Sequence, residues 1–570
     1  MVSSMSLRKY RSTATSMGTC SKQSATSSGS QSLLPRHRCS DQREAHMLGG
    51  GSMTNTTYSA MSVSTHLRGM RSIPRHALWP ALMLLAACSG GGSDSGPETN
   101  SPLSTPMALV VNQDDTTLTT LRLDGKHSPV ISTLSLGPVQ ADAIGGVTFS
   151  LGEWVFVTNT ETNKVAAIDP IGGVAPILES FLDENPQDPR VKIGQRPTRI
   201  YRDPVDKEVL WTMNDGDAAT GIDTVANCSQ GGSVSVLHNS HLGVGGEKPR
   251  VTSIACLSGK GEHLIAFARP PAIAQENAYV SSKTTGLISV LLPVLTANGN
   301  VAWSEFSTKI DLCDSAKETC DGDATTPNHS LPSGMFWSQA TEKIYGYLSG
   351  YETVVEIDPK TLTVTRTVSI MLPAPSMTLY RSVGITPNGR FLLLIGEDTL
   401  SDPTKVIGKF GTIDLTAPIL SVTPFSIPQL ENVRPAPLQF TPDGKRLYLS
   451  LSNKISDLAF AAQAHNLKLD RLLVFDPSTL PAPPTFVAEV SLPAADMHAM
   501  DLWITGPQGA GSAKAAVVTN ATAGDAGTVS LIDAATNTIT ATIPVGKNPK
   551  QVTVYYYGLA ASDNQAILTR

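Results

Sequence analysis

Aromatic residues make up 5 % of this 570-residue chain and charged residues 16 %, both low values. The thin charge leaves a net −6, which argues against non-specific nucleic-acid binding. No run of apolar residues is long enough to span a bilayer as a helix; the longest, residues 77–87, falls well short. Heptads are absent, so no coiled coil is expected. Cysteines number seven, without C-x-x-C-H or any zinc-ligand spacing, so neither attached haem nor structural zinc is expected. Neither G-x-S-x-G nor H-E-x-x-H occurs. What is plentiful is glycine (46) and proline (39), which suits many short strands joined by turns.

The first 105 residues precede any repeat. Residues 1–69 are polar and without periodicity, and are read as an upstream extension outside the folded protein. Residues 70–87 hold Arg71 and Arg75, then the apolar stretch 77–87, then Leu85-Ala86-Ala87-Cys88. This resembles the signal peptide and lipobox of bacterial lipoproteins. The resemblance implies lipidation of Cys88, cleavage before it, and a cell-envelope location, with Ser89 favouring the outer membrane. Residues 88–105 are the lipidated cysteine and a Gly/Ser-rich tether. Membrane contact is therefore expected through the lipid anchor at Cys88.

From residue 106 to 558 one unit recurs; residues 559–570 are a C-terminal tail. Near the end it reads GTVSLIDAATNTITATIPVGKNPKQVTVYYY: strand, Asx-rich turn, strand, G-x-x-P turn, strand. A β-branched strand closing on aspartate marks most copies: Asp124, Asp169, Asp358, Asp414, Asp476 and Asp533. Strands ending at Leu237 and Leu291 fill the gap, giving eight copies at a spacing of roughly 58 residues. These aspartates are expected to accept backbone N–H groups in the following turn, not to perform chemistry. A second marker precedes most copies, as in FTPDGKRLYLSLS (440–452) and ITPNGRFLLLIGE (385–397). The last strand lacks partners and the first three, within 107–136, lack a fourth, so the ends are expected to pair. Four strands per unit and closure of the ends predict an all-β chain forming a single β-propeller, eight blades by count with seven as the alternative.

FTPDGKRLYLSLS, WVFVTNTETNKVAAID and SLIDAATNTITATIPVGKNPKQVTV resemble the YVTN-type β-propeller repeat. The likeness runs over roughly residues 107–557 and is poor between 214 and 330.

Cys20 and Cys39 lie in the upstream extension. Four cysteines remain beyond Cys88: Cys228, Cys256, Cys313 and Cys320. An even number in an exported chain favours disulfides; of three possible connectivities, Cys228–Cys256 with Cys313–Cys320 is expected, because each pair falls within one unit or its edge. Acidic loops at Asn214–Asp217 and at Asp311, Asp314, Glu318, Asp321 and Asp323 offer oxygen ligands for Ca2+. Neither has full loop spacing, so no metal or other cofactor is expected.

A propeller's inner strands converge on a central channel. Basic residues recur near the starts of those strands: Arg199, His263, Arg381, Arg434, His498 and Lys550, with Arg196 and Lys547 nearby. In an acidic chain this bias suits a channel mouth that attracts a small anion or a carboxylate. The expected function is a lipid-anchored envelope module that binds a ligand or an envelope protein and performs no chemistry. The alternative is an exported hydrolase or lactonase with its site at the mouth.

Overall fold

The computed structural model describes residues 106–556 apart from 124–129, 137–143, 150–154, 170–176, 182–192, 207–208, 239–249, 274, 298–300, 322–325, 371–377, 399–406, 432–433, 442, 453–470, 493–495, 505–512 and 522–525. The extension 1–69, the signal-like stretch 70–87, Cys88 with its tether, and the tail 559–570 lie outside the described residues. Two units partition the chain, Met1–Ser93 and Asp94–Arg570, and the second holds everything below.

The protein is an all-β propeller of four-stranded antiparallel blades. Its hydrophobic pattern explains the layout. Second strands such as Val155–Asn159 open on an apolar run, Val-Phe-Val, and are buried at every residue. Fourth strands such as Thr485–Ser491 alternate exposed positions with half-buried or buried ones. A strand with a neighbour on each flank and a sheet on each face reads as continuous apolar residues; one at the rim reads with period two.

Among the described residues the strands form eight sheets. In chain order we number them sheet 1 (106–135 with 549–556), sheet 2 (144–181), sheet 3 (197–256), sheet 4 (263–311), sheet 5 (332–369), sheet 6 (378–431), sheet 7 (434–491) and sheet 8 (496–547). Sheets 2 to 8 run in chain order from their first strand outward; sheet 4 carries a fifth, Ile310–Asp311, beside its third. In sheet 1 the last strand of the chain, Pro549–Tyr556, lies antiparallel to the first, Pro106–Asn112, with Val554 opposite Ala108 and Val552 opposite Val110.

The core is distributed over the seams between sheets. One apolar cluster joins sheets 1 and 2 through Leu109, Val111, Val155 and Ile168. Others join 2 to 3, 3 to 4, 4 to 5, 5 to 6, 6 to 7 and 7 to 8. A further cluster packs Val529, Leu531 and Ile543 of sheet 8 on Ala108, Val110, Val552 and Val554 of sheet 1. The seam of sheets 3 and 4 is the most aromatic. Trp211 is fully buried, edge-on to Phe267 at 5.2 Å and to Trp303 at 4.6 Å. Such pairs contribute about 0.5–1.5 kcal/mol each beyond the area they bury.

Four of the six turn aspartates act as their positions predict; Asp124 and the Asp169 side chain lie outside the described residues. Asp358, Asp414, Asp476 and Asp533 each accept the backbone N–H two residues ahead. Both disulfides also form as expected, Cys228–Cys256 and Cys313–Cys320. In the acidic loops Asp217 accepts Ala219 and Thr220 N–H, Asp311 accepts Cys313 N–H, and Asp314 accepts Ala316 N–H; Asp323 lies outside the described residues.

Candidate functional site

The innermost strands all begin at one end of the propeller. At that end the second strand of each blade finishes and the third starts. Near these starts a backbone feature recurs that composition does not reveal. In seven sheets the first strand carries one residue more than its partner, a β-bulge. Only sheet 4 pairs without a break there. A bulge bends the strand and re-aims the side chains beside it, and bulges concentrate where a sheet borders a site.

The six basic residues fall differently on this frame. Arg381 is the extra residue of Thr378–Ile385, between the paired Tyr380 and Ser382. Lys550 is the extra residue of Pro549–Tyr556, between Pro549 and Gln551. His498 lies with Ala499 in the bulge of Asp496–Ile504. Arg199 directly follows the bulge of Pro197–Arg202, and Arg434 opens Arg434–Phe440 one residue ahead of its paired neighbour before the bulge. His263 starts the unbulged strand of sheet 4, opposite Ser282.

His263 is 1 % exposed. Its Nδ1 lies 2.7 Å from Asp215 Oδ1 and its Nε2 3.2 Å from the Gly259 carbonyl. Both neighbours only accept, so both contacts are hydrogen bonds only when the ring carries two protons. The imidazole thus ties the loop after the second strand of sheet 3 to the first strand of sheet 4, and serves the seam. Asp215 was visible in the sequence only as part of an acidic turn. Its place directly after a second strand, facing the start of the next inner strand, is the signal that pairs it with His263.

Around this pair the charges are mutually compensated. Lys283 Nζ is 2.8 Å from Glu262 Oε2. The Lys283 hydrogen bond, working against burial and helped by the charges of Lys283 and Arg199, lowers the Glu262 pKa. Burial opposes the charge of Arg199, but the Tyr201 hydroxyl, Glu262 and Asp215 outweigh it, and the guanidinium pKa rises. Tyr201 is itself pushed up, chiefly by burial.

The loop that carries Asp215 is heavily anchored. Asp223 accepts from Gln195 N, Ala226 N and Ser233 Oγ, and Cys228–Cys256 fastens the loop to the outer strand. At Lys550 the preceding G-x-x-P turn is fixed from the other end of the chain. Lys547 N donates to Asp115 Oδ2, and Asn548 Nδ2 donates to Asp114 Oδ1. Among the described residues no group of three or more His, Cys, Asp or Glu is placed to hold a metal ion.

No protein-family model matches the chain, and no curated protein sequence matches it. Solved structures do resemble it in fold. The periplasmic gluconolactonase PpgL of Pseudomonas aeruginosa is 12 % identical with a TM-score of 0.42, over 79 % of this chain and 99 % of that one. Apo AztD of Citrobacter koseri is 14 % identical with a TM-score of 0.47, over 79 % and 98 %. A candidate 6-phosphogluconolactonase of Bacteroides uniformis is 14 % identical with a TM-score of 0.41, over 80 % and 100 %.

Proposed function

We propose that the protein is an exported, eight-bladed propeller, closed between its first and last strands and held at the cell envelope by a lipid on Cys88. It binds a small anionic ligand, or a carboxylate-bearing partner, at the mouth where the inner strands begin. The observation that carries the binding reading is the register: Arg381, His498 and Lys550 occupy bulges at equivalent starts of three inner strands. Arg199 and Arg434 flank two more bulges. A ring of cations around a funnel raises the local concentration of anions. His263 contributes by holding the seam beside Arg199, not by contact. The eight-fold count and the closure are supported by a seam cluster between every neighbouring pair of sheets, including 8 and 1. Export is supported by two disulfides, which persist in oxidising compartments.

The test is calorimetric titration of the intact protein with phosphate and with small carboxylates. Arg381→Ala with Lys550→Ala should weaken binding at least tenfold. Unchanged binding would end the reading, and turnover of lactones by the unmodified protein would replace it with an exported hydrolase. Incorporation of labelled fatty acid, lost in Cys88→Ser, tests the anchor separately.

A further inference from the structure

Arg471 opens the third strand of sheet 7, Arg471–Asp476, and is 6 % exposed. Its Nη1 donates to Glu489 Oε1 at 2.6 Å. Its Nε and Nη2, one whole flank of the guanidinium, are buried and meet no hydrogen-bond partner among the described residues. Contrast Arg366, which is more exposed. That residue gives Nε and Nη2 to Glu356, Nη1 to the Ala417 carbonyl, and Nη2 also to the Leu415 carbonyl. Arg366 is a saturated structural arginine that staples sheet 5 to sheet 6. Arg471 is more deeply buried, yet two of its three nitrogens meet no acceptor among the described residues. A buried cationic donor without an acceptor is strongly disfavoured unless a further group meets it.

The register shows what lies alongside. Arg434 is opposite Ser452, and Leu451, one residue earlier on that strand, is opposite Arg471. Two arginines therefore stand at the same end of one sheet, two strands apart, or roughly 10 Å. That end is the one where the inner strands begin. The Nε/Nη2 flank of a guanidinium is a planar fork that matches two oxygens of one oxyacid group.

We propose that Arg471 is a subsite for an oxyanion, a carboxylate or a phosphate, held side-on by Nε and Nη2 while Glu489 retains Nη1. The proposal rests on the reading of the mouth as an anion site and extends it to a residue outside the six basic positions. It gives the ligand a two-oxygen acidic group reaching sheet 7.

Inorganic phosphate and acetate, titrated separately into the intact protein, are the probes. Arg471→Lys keeps the charge but loses the fork, and should weaken whichever oxyanion binds by about tenfold or more. Glu489→Gln removes the competing carboxylate and should tighten it several-fold, a gain that a merely structural arginine would not produce. Circular dichroism confirms that both variants fold; if Arg471→Lys does not, the Glu489→Gln titration decides alone. Unchanged affinity in Glu489→Gln and in a folded Arg471→Lys would overturn the subsite, even where Arg381→Ala with Lys550→Ala shows that the mouth binds. Loss in Arg471→Lys with no effect of Arg381→Ala and Lys550→Ala would sustain the subsite and remove the mouth reading. Absence of binding by the unmodified protein at millimolar probe would overturn both.

Discussion

At the scale of single residues, the turn aspartates and the buried carboxyl groups carry opposite lessons. Asp533 accepts two backbone N–H groups, from Ala535 and Thr536, at an exposed turn. Asp533→Ala leaves both donors to water and should cost about 1 kcal/mol, read as a lower urea midpoint at constant slope. This role was legible because the aspartate recurs at the end of the same strand in copy after copy. Glu276 was not legible, since nothing in sequence brings it beside Asp203. Burial, reinforced by Asp203, pushes its pKa up to about 8. The folded chain therefore keeps this proton over a range in which the unfolded chain has released it. Stability from this group is full below the ordinary glutamate value and falls as pH climbs from there to about 8. Glu276→Gln should remove that fall. Its urea midpoint should exceed that of the unmodified protein at pH 8 by more than at pH 4.5; an equal offset at both would show that Glu276 ionises normally.

At the scale of strands and loops, the bulges explain why the basic residues refused to align in the sequence. One added residue shifts everything before it by one place relative to the partner strand, and the shift falls at different depths. It lies after one paired residue in Pro549–Tyr556, after two in Asp496–Ile504 and after three in Thr378–Ile385. A bulge changes neither composition nor alternation on either side, so no sequence pattern announces it. Arg471 left a fainter trace: it stands where the equivalent strand Thr353–Asp358 begins with threonine. The disulfides were readable from count and spacing, and their spacing also orders their worth. Cys228–Cys256 spans 28 residues and Cys313–Cys320 spans 7. Chain entropy then assigns about 3.5 kcal/mol to the first and about 2.5 to the second. Paired Cys→Ser variants should lose stability in that order under non-reducing urea titration. The reverse order would mean that the shorter loop, whose Glu318 bonds His329 and Tyr351, holds more than its own ends.

At the scale of the whole molecule, one sheet differs from the rest in how it is held. In sheets 2 to 8 the first strand continues through the chain into the second. In sheet 1 the innermost strand, Pro549–Tyr556, reaches its neighbour Pro106–Asn112 only through hydrogen bonds and the apolar contacts of Val552 and Val554. In every other sheet a chain connection also ties the first strand to the second; in this one none does. Val552 is 3 % exposed, so Val552→Asp puts an unpaired carboxylate into the joint of sheets 8 and 1. That should cost about 3–5 kcal/mol, well above the same change at the exposed Val294. Truncation after Lys547 removes the strand outright. It bares the edge of Pro106–Asn112, an apolar strand that would then template association. The truncated chain should lose its cooperative urea transition and elute as larger species in gel filtration, while Val294→Asp elutes as the unmodified protein does. A truncated chain that stayed monomeric with an unshifted midpoint would mean that the ends do not hold the propeller together, and the channel mouth would lose its frame.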